Sequence, residues 1–288
     1  MRLAACPCNL SVPKIVRRRF GGLGGMQQLG EAALAFCLFL VAGVAGLSLR
    51  ARLSERHLNR DTQDFVRLVV SALVTFLAIV LGLLTASSKS HYDEISDSYR
   101  RMAAELTILD SQLRLVGDDS MPARAQIRAY LAAVIASTWS NEPAPSGNYP
   151  RGLAPGQGES AALTSLLRIA ETQILALRKQ HPQQADLLSV VLSHFSALSD
   201  ARWHVIETDH PTIPQAFYIL MLFWTALMFV GFGLCAPHNR VVAVTVLICA
   251  LSLASVIYVM LELDDPSKGL IAISSNPLRA ALADMDRT

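Results

Sequence analysis

Residues 68–116 read LVVSALVTFLAIVLGLLTASSKSHYDEISDSYRRMAAELTILDSQLRLV. Leu68–Ala86 carries no charge, and a hydrocarbon core of ~30 Å needs ~20 such residues to be crossed by a helix. Beyond it the chain turns polar, yet Tyr92, Ile95, Tyr99, Met102, Leu106, Leu109, Leu113 and Val116 recur at alternating steps of three and four. That is a heptad seam. The whole stretch holds no proline and only Gly82 as a glycine, so its 49 residues predict a single helix, ~73 Å long at 1.5 Å per residue. About 40 Å of it projects beyond a ~30 Å core. Gly117, followed by Asp118-Asp119, ends it as a C-cap glycine would.

The rest of the 288-residue chain agrees with a membrane helix. Apolar residues make up 52% and charged residues 17%, against ~25% charged in a typical soluble domain. Mean hydropathy is +0.38. Aromatics are only 7%, so the apolar excess is aliphatic, unlike the alternating, aromatic-girdled strands of a membrane barrel. Ala32–Leu49, Pro214–Cys235 and Val241–Leu263 join Leu68–Ala86 as spans. The first follows Arg17-Arg18-Arg19 but exceeds the ~7–15 apolar residues of a signal peptide, so it reads as an uncleaved span.

The fold expected is all-α: an integral membrane protein with four transmembrane helices and a helical extramembrane domain between spans two and three. Residues 1–29 read as an unstructured extension, 30–86 as spans one and two, 87–213 as the extramembrane domain, 214–263 as spans three and four, and 264–288 as a C-terminal tail. Within the domain Pro122 opens a helix, and Ser160–Gln180 and Pro182–Glu207 have amphipathic periodicity. Residues 141–159 contain four prolines and four glycines and read as a surface loop.

Charge is segregated. Residues 1–67 hold ten basic and four acidic residues, whereas residues 90–213 hold ten basic and fourteen acidic ones. The net charge of +2 is thus no argument for nucleic-acid binding. With the N-terminus cytoplasmic, that side carries eleven basic residues against six; without residues 1–25 the count is six against six, which sets no orientation.

Nothing in the chain points to an enzyme or a cofactor. The five cysteines, Cys6, Cys8, Cys37, Cys235 and Cys249, form no C-x-x-C pair. Gly-x-Ser-x-Gly, His-Glu-x-x-His and a glycine-rich phosphate loop are lacking. Two other features bear on function. Ser71, Thr75, Ala78, Gly82 and Thr85 form a small, polar stripe along span two. Such a stripe packs against a neighbouring helix or lines a pore. Thr85, Tyr92, Tyr99 and Leu106 follow at steps of seven, which links the stripe to the seam. The seam itself packs within its own subunit or also enters an oligomer interface. The other feature is juxtamembrane charge on one side of the bilayer: His91, Asp93, Glu94, His204, Glu207, Glu262, Asp264 and Asp265. These form a solvated collar, or a ring that attracts or binds a cation.

Leu261-Glu262-Leu263-Asp264-Asp265-Pro266-Ser267-Lys268-Gly269-Leu270-Ile271, then Ile273-Ser274-Ser275-Asn276-Pro277-Leu278-Arg279 and Ala281-Leu282, resembles the C-terminal signature of the bacterial bestrophin-like domain family. His57-Leu58-Asn59 with Ser87-Ser88-Lys89-Ser90-His91-Tyr92-Asp93, and Phe223-Trp224 with Phe232-Gly233-Leu234, Ala236-Pro237 and Asn239, match as well. The resemblance covers about residues 30–282. Asp265 and Ser267 depart from it, standing where the family tends to have Arg and Phe. The resemblance implies a start near Met26, four membrane helices, a bacterial inner-membrane location and a distant relation to pentameric bestrophin channels. The expected function is then an oligomeric ion channel with span two on the axis, whose partners are the lipid bilayer, further copies of itself and inorganic ions. The alternative is a non-conducting scaffold or sensor whose helical domain binds a partner.

Overall fold

The computed structural model describes residues 24–53, 60–151, 161–208, 213–237, 239–264 and 271–287. Among them every regular element is helical: α1 Gly24–Arg52, α2 Arg60–Val116, α3 Met121–Thr138, α4 Ala161–Gln180, α5 Ala185–Thr208, α6 Gln215–Cys235, α7 Arg240–Asp264 and α8 Asn276–Met285. Short 3-10 turns at Asp118–Ser120 and Pro182–Gln184 lead into α3 and α5. Helices α1, α2, α6 and α7 are each long and apolar enough to cross a membrane. The chain is an all-α, four-span membrane protein.

Two boundaries differ from expectation. Residues 24–29, expected in the extension, already belong to α1. Residues 271–285, expected in a tail, belong to the extramembrane domain: Ile273, Leu278, Ala281, Leu282 and Met285 are buried in its core. Positions 278, 281, 282 and 285 lie on one helical face, and that face had no partner visible in the linear sequence.

The long helix is real and longer than expected. α2 runs 57 residues without interruption, ~86 Å at 1.5 Å per residue. It stops at Gly117, whose φ of 101° and ψ of −165° lie in a region essentially reserved for glycine. A Cβ there would meet nothing within 4 Å, so the penalty of any side chain is purely one of backbone strain. Gly117→Ala is expected to lower the unfolding free energy by about 1–3 kcal/mol, read as a lower apparent Tm in detergent.

In the extramembrane core the seam packs within its own subunit. Ile95, Met102, Leu106, Leu109, Leu113 and Val116 are all buried within the protomer. α2 packs there chiefly on α5 and α8, and α3 and α4 complete the cluster through Ile127, Tyr130, Leu131, Ile135 and Ile174. Each such aliphatic side chain contributes roughly 1.5–3 kcal/mol on leaving water. The Pro/Gly loop begins after α3, and residues 152–159 of it lie outside the described residues. Its first part folds back on the core, where Tyr149 is buried and donates to the Pro145 carbonyl at 2.8 Å.

In the membrane half, Phe39 of α1 stacks on Phe229 of α6 with ring centroids 5.3 Å apart. Val70, Leu77 and Leu81 of α2 and Ala250, Ile257 and Met260 of α7 close that core. The outer faces stay open: Leu34, Val41, Ile79, Leu83, Val241 and Leu251 are each more than three-fifths exposed. A protomer with such faces is stable only when lipid or further protein covers them.

Candidate functional site

The stripe on α2 lies away from the protomer's own packing. Ser71, Thr75, Ala78 and Gly82 are exposed and Thr85 is half-exposed. The face that packs carries Val70, Leu77, Leu81 and Ser88 instead. Close packing inside one subunit therefore does not explain the small residues. Their hydroxyls are satisfied locally: Ser71 donates to the Leu68 carbonyl at 2.8 Å, Thr75 to Ser71 at 3.0 Å and Thr85 to Leu81 at 2.8 Å. A helix face of this kind tolerates either lipid or water, because no donor is stranded.

The run of sevens from Thr85 does not stay on that face. Tyr92 and Tyr99 are half-buried and Leu106 is fully buried. A straight α-helix drifts about 20° per heptad against a strict repeat of seven, so the series slides from the open side into the core. Stripe and seam lie on different faces of one helix. What continues the stripe is charge: Lys89 pairs with Asp93, and Arg100 with Asp97 at 3.2 Å.

The juxtamembrane residues are distributed rather than gathered. Glu94 of α2 faces His204 of α5 at 3.6 Å, and the same imidazole lies 3.3 Å from the Ser98 hydroxyl. Asp93 is held by Lys89, His91 is half-buried and Glu207 is exposed. Glu262 is fully buried, accepting from the Tyr258 hydroxyl at 2.8 Å and from the Ile271 amide at 3.4 Å. Asp264 is half-buried at the end of α7, and Asp265 lies outside the described residues. Among the described residues, no three histidine, cysteine or acidic side chains are placed to hold a metal ion.

Sequence reasoning missed the contacts that tie the last segment to the domain. Glu142 accepts from the Ser275 hydroxyl and from Arg279 Nε, the latter at 2.9 Å, while Arg279 Nη2 donates to the Pro143 carbonyl at 2.9 Å. Trp139 Nε1 donates to the Ile273 carbonyl at 2.6 Å, and Tyr99 of α2 meets the Trp139 ring edge-on at 5.1 Å. The signal was present in the Ile273–Arg279 signature. Its partner Glu142 sat in a loop with no periodicity to flag it.

A second tie closes the chain's end. Arg128 of α3 grips both carboxylate oxygens of Asp286, with Nη2 2.9 Å from Oδ2. The guanidinium holds the Asp286 carboxyl below its ordinary range, and the carboxylate raises Arg128 in turn. Because the folded carboxyl titrates lower than the unfolded one, its stabilisation is present above the usual carboxylate range and is lost as pH falls through the folded value. The pair is partly exposed, so its contribution is small. Asp286→Asn is expected to melt below wild type at pH 7, with the gap closing under acid; a gap that is independent of pH would refute the assignment. Nearby, burial pushes the Tyr130 phenol up to about 12.

Comparison with known proteins fits this architecture. Two crystal structures of a bacterial bestrophin homologue from Klebsiella pneumoniae, each with one substitution, superpose with TM-scores of 0.67 and 0.66 at 14% identity. They cover 89% and 88% of this chain and 96% and 97% of theirs. A crystal structure described as a membrane protein, also with one substitution, gives a TM-score of 0.65 at 13% identity, over 88% of this chain and 97% of its own. At these identities the likeness concerns the fold. No curated protein matches the chain. The model of the bestrophin-like domain matches residues 37–278, nearly the whole membrane and extramembrane structure described above, and the chain therefore belongs to the bestrophin-like domain family.

Proposed function

We propose that the chain assembles into a homo-oligomeric ion channel of the bacterial inner membrane, with α2 lining the central axis. One observation carries this reading: the small, hydroxyl-bearing face of α2 is left open by the protomer, beside the face through which Val70, Leu77 and Leu81 pack inward and distinct from the exposed apolar face of Leu68, Phe76, Ile79 and Leu83. Hydroxyls and a glycine backbone face water at little cost, and the same face runs on into Lys89, Asp93 and Arg100 where α2 leaves the bilayer. The domain clamps the projecting half of α2, so protomers related by a rotation axis would present rigid, matching faces. The fold relationship supports five copies by analogy alone.

Gly82 separates an axial face from a lipid face. A Cβ at Gly82 meets nothing within 4 Å, so Gly82→Leu disturbs no contact of the protomer and removes a helix-weakening glycine. On an axis the added side chains meet one another. Ion flux from proteoliposomes is expected to fall roughly tenfold or more with no loss of thermal stability; unchanged flux would place the stripe against lipid.

The reading as a whole is tested by mass and flux together. Light scattering in detergent should give a multiple of the 31.2 kDa protomer, and reconstituted protein should pass inorganic ions. A monomer without flux overturns the proposal and favours the scaffold or sensor.

A further inference from the structure

Where α6 ends and α7 begins, a groove of about 240 Å³ is lined by Phe232, Ala236, Val242, Thr245, Val246 and Cys249. It is apolar in character; its lone hydroxyl, on Thr245, donates to the Val241 carbonyl at 3.0 Å. The groove opens on the outer side of the bundle, where Val241, Val244 and Ile248 are all exposed. It also sits at the ends of two spans, the depth at which hydrocarbon gives way to headgroups.

Its rim is positive. Ala236, which lines the groove, accepts a hydrogen bond from Arg50 Nη1 at 2.6 Å, which fixes that guanidinium at the lip. Arg240, exposed, opens α7 two residues before the lining Val242. Residues 214–261, which span both helices and their connection, contain no acid at all. An apolar slot capped by arginines, in a stretch that contributes no acid from residues 214–261, is complementary to an amphiphile with a negative head. A guanidinium presents forked donors that match phosphate oxygens.

We propose that this groove is a binding site for an anionic phospholipid, with an acyl chain lying along Val242, Val246 and Cys249 and the headgroup phosphate at Arg50 and Arg240. The site is independent of whether the assembly conducts ions. Two protomers meeting here would bring four arginines together, which disfavours a second copy as the occupant. A zwitterionic lipid would place its own cation beside the same charges.

Native mass spectrometry of the full chain in detergent, titrated with phosphatidylglycerol or phosphatidylcholine of identical chains, tests this. The wild type should retain phosphatidylglycerol roughly tenfold better. Arg240→Glu should abolish that preference; an acid at a helix N-terminus favours the helix, so a folding defect is not the expected cause. Thr245→Trp, which fills the slot from an exposed position, should reduce retention of both lipids. Inorganic phosphate at millimolar concentration should not compete. Equal retention of the two lipids, an unchanged preference in Arg240→Glu, or displacement by inorganic phosphate alone would each overturn the proposal. So would retention that vanishes whenever the protomers associate, which would identify the groove as an interface between copies.

Discussion

Gly233→Ala is expected to melt far below the wild-type chain, although it adds one methyl group. A Cβ at Gly233 would lie 2.3 Å from the Gly43 carbonyl oxygen, 2.7 Å from the Leu47 nitrogen and 2.8 Å from the Gly46 Cα. From the other side, a Cβ at Gly46 would lie 2.2 Å from the Val230 carbonyl oxygen. All of these are backbone atoms, so no rotamer change relieves the clash; α1 and α6 must move apart. That separation would open the stack of Phe39 on Phe229 and the most extensive helix–helix contact among the described residues. Overpacking a close-packed site costs about 1–3 kcal/mol, and the upper end applies where the obstacle is main chain. Gly46→Ala should behave alike. Gly30→Ala is the control: a Cβ there meets nothing within 4 Å, and it should be neutral or gain up to about 1 kcal/mol of helix propensity. Equal Tm values in detergent for Gly233→Ala and Gly30→Ala would refute the close crossing.

Asp110→Ala should damage the extramembrane half to a similar or greater degree. Asp110 is 4% exposed and serves two arginines at once. Arg114 Nε donates to Oδ2 at 2.7 Å, and Arg124 of α3 donates through Nε to Oδ1 at 2.8 Å. Arg114 in turn donates through Nη2 to the Asp284 carbonyl at the end of α8, at 2.8 Å. One carboxylate thus joins α2, α3 and α8. Its removal leaves two guanidiniums without their shared acceptor, and breaking a buried pair from one side costs about 3–5 kcal/mol. Arg124→Ala leaves Asp110 paired with Arg114 and should cost roughly half as much or less. A double-mutant cycle between Asp110→Ala and Arg124→Ala should show strong coupling; additive losses would show that the arginine acts elsewhere.

The parts of this architecture that depend on local pattern were legible in the chain. Apolar length gave the four spans, and unbroken 3–4 spacing gave α2 and the buried face from Ile95 to Val116. Gly117 was legible because its φ excludes other residues. What depended on distant pairing was hidden. Nothing in the sequence identified Gly43, Gly46 and Gly233 as the two sides of one close helix crossing. The helix that became α8 looked like a tail, since its apolar face meets α2 and α3 across more than a hundred residues. Asp110 resembled any surface acid until Arg124 was folded against it. For the juxtamembrane residues the chain carried no measure of burial, which sets Glu262 apart from the exposed Asp93 and Glu207. At the stripe, spacing identified the residues and left two environments open; the fold removed packing within the protomer.

The most direct test of an axial α2 is a single cysteine at Thr75, placed in a chain whose five native cysteines are replaced. In proteoliposomes that conduct ions, a charged, membrane-impermeant thiol reagent should reach Thr75→Cys through water and abolish the flux. Full flux in the continued presence of the reagent, with Thr75→Cys left unmodified, would put this face against lipid and contradict the account.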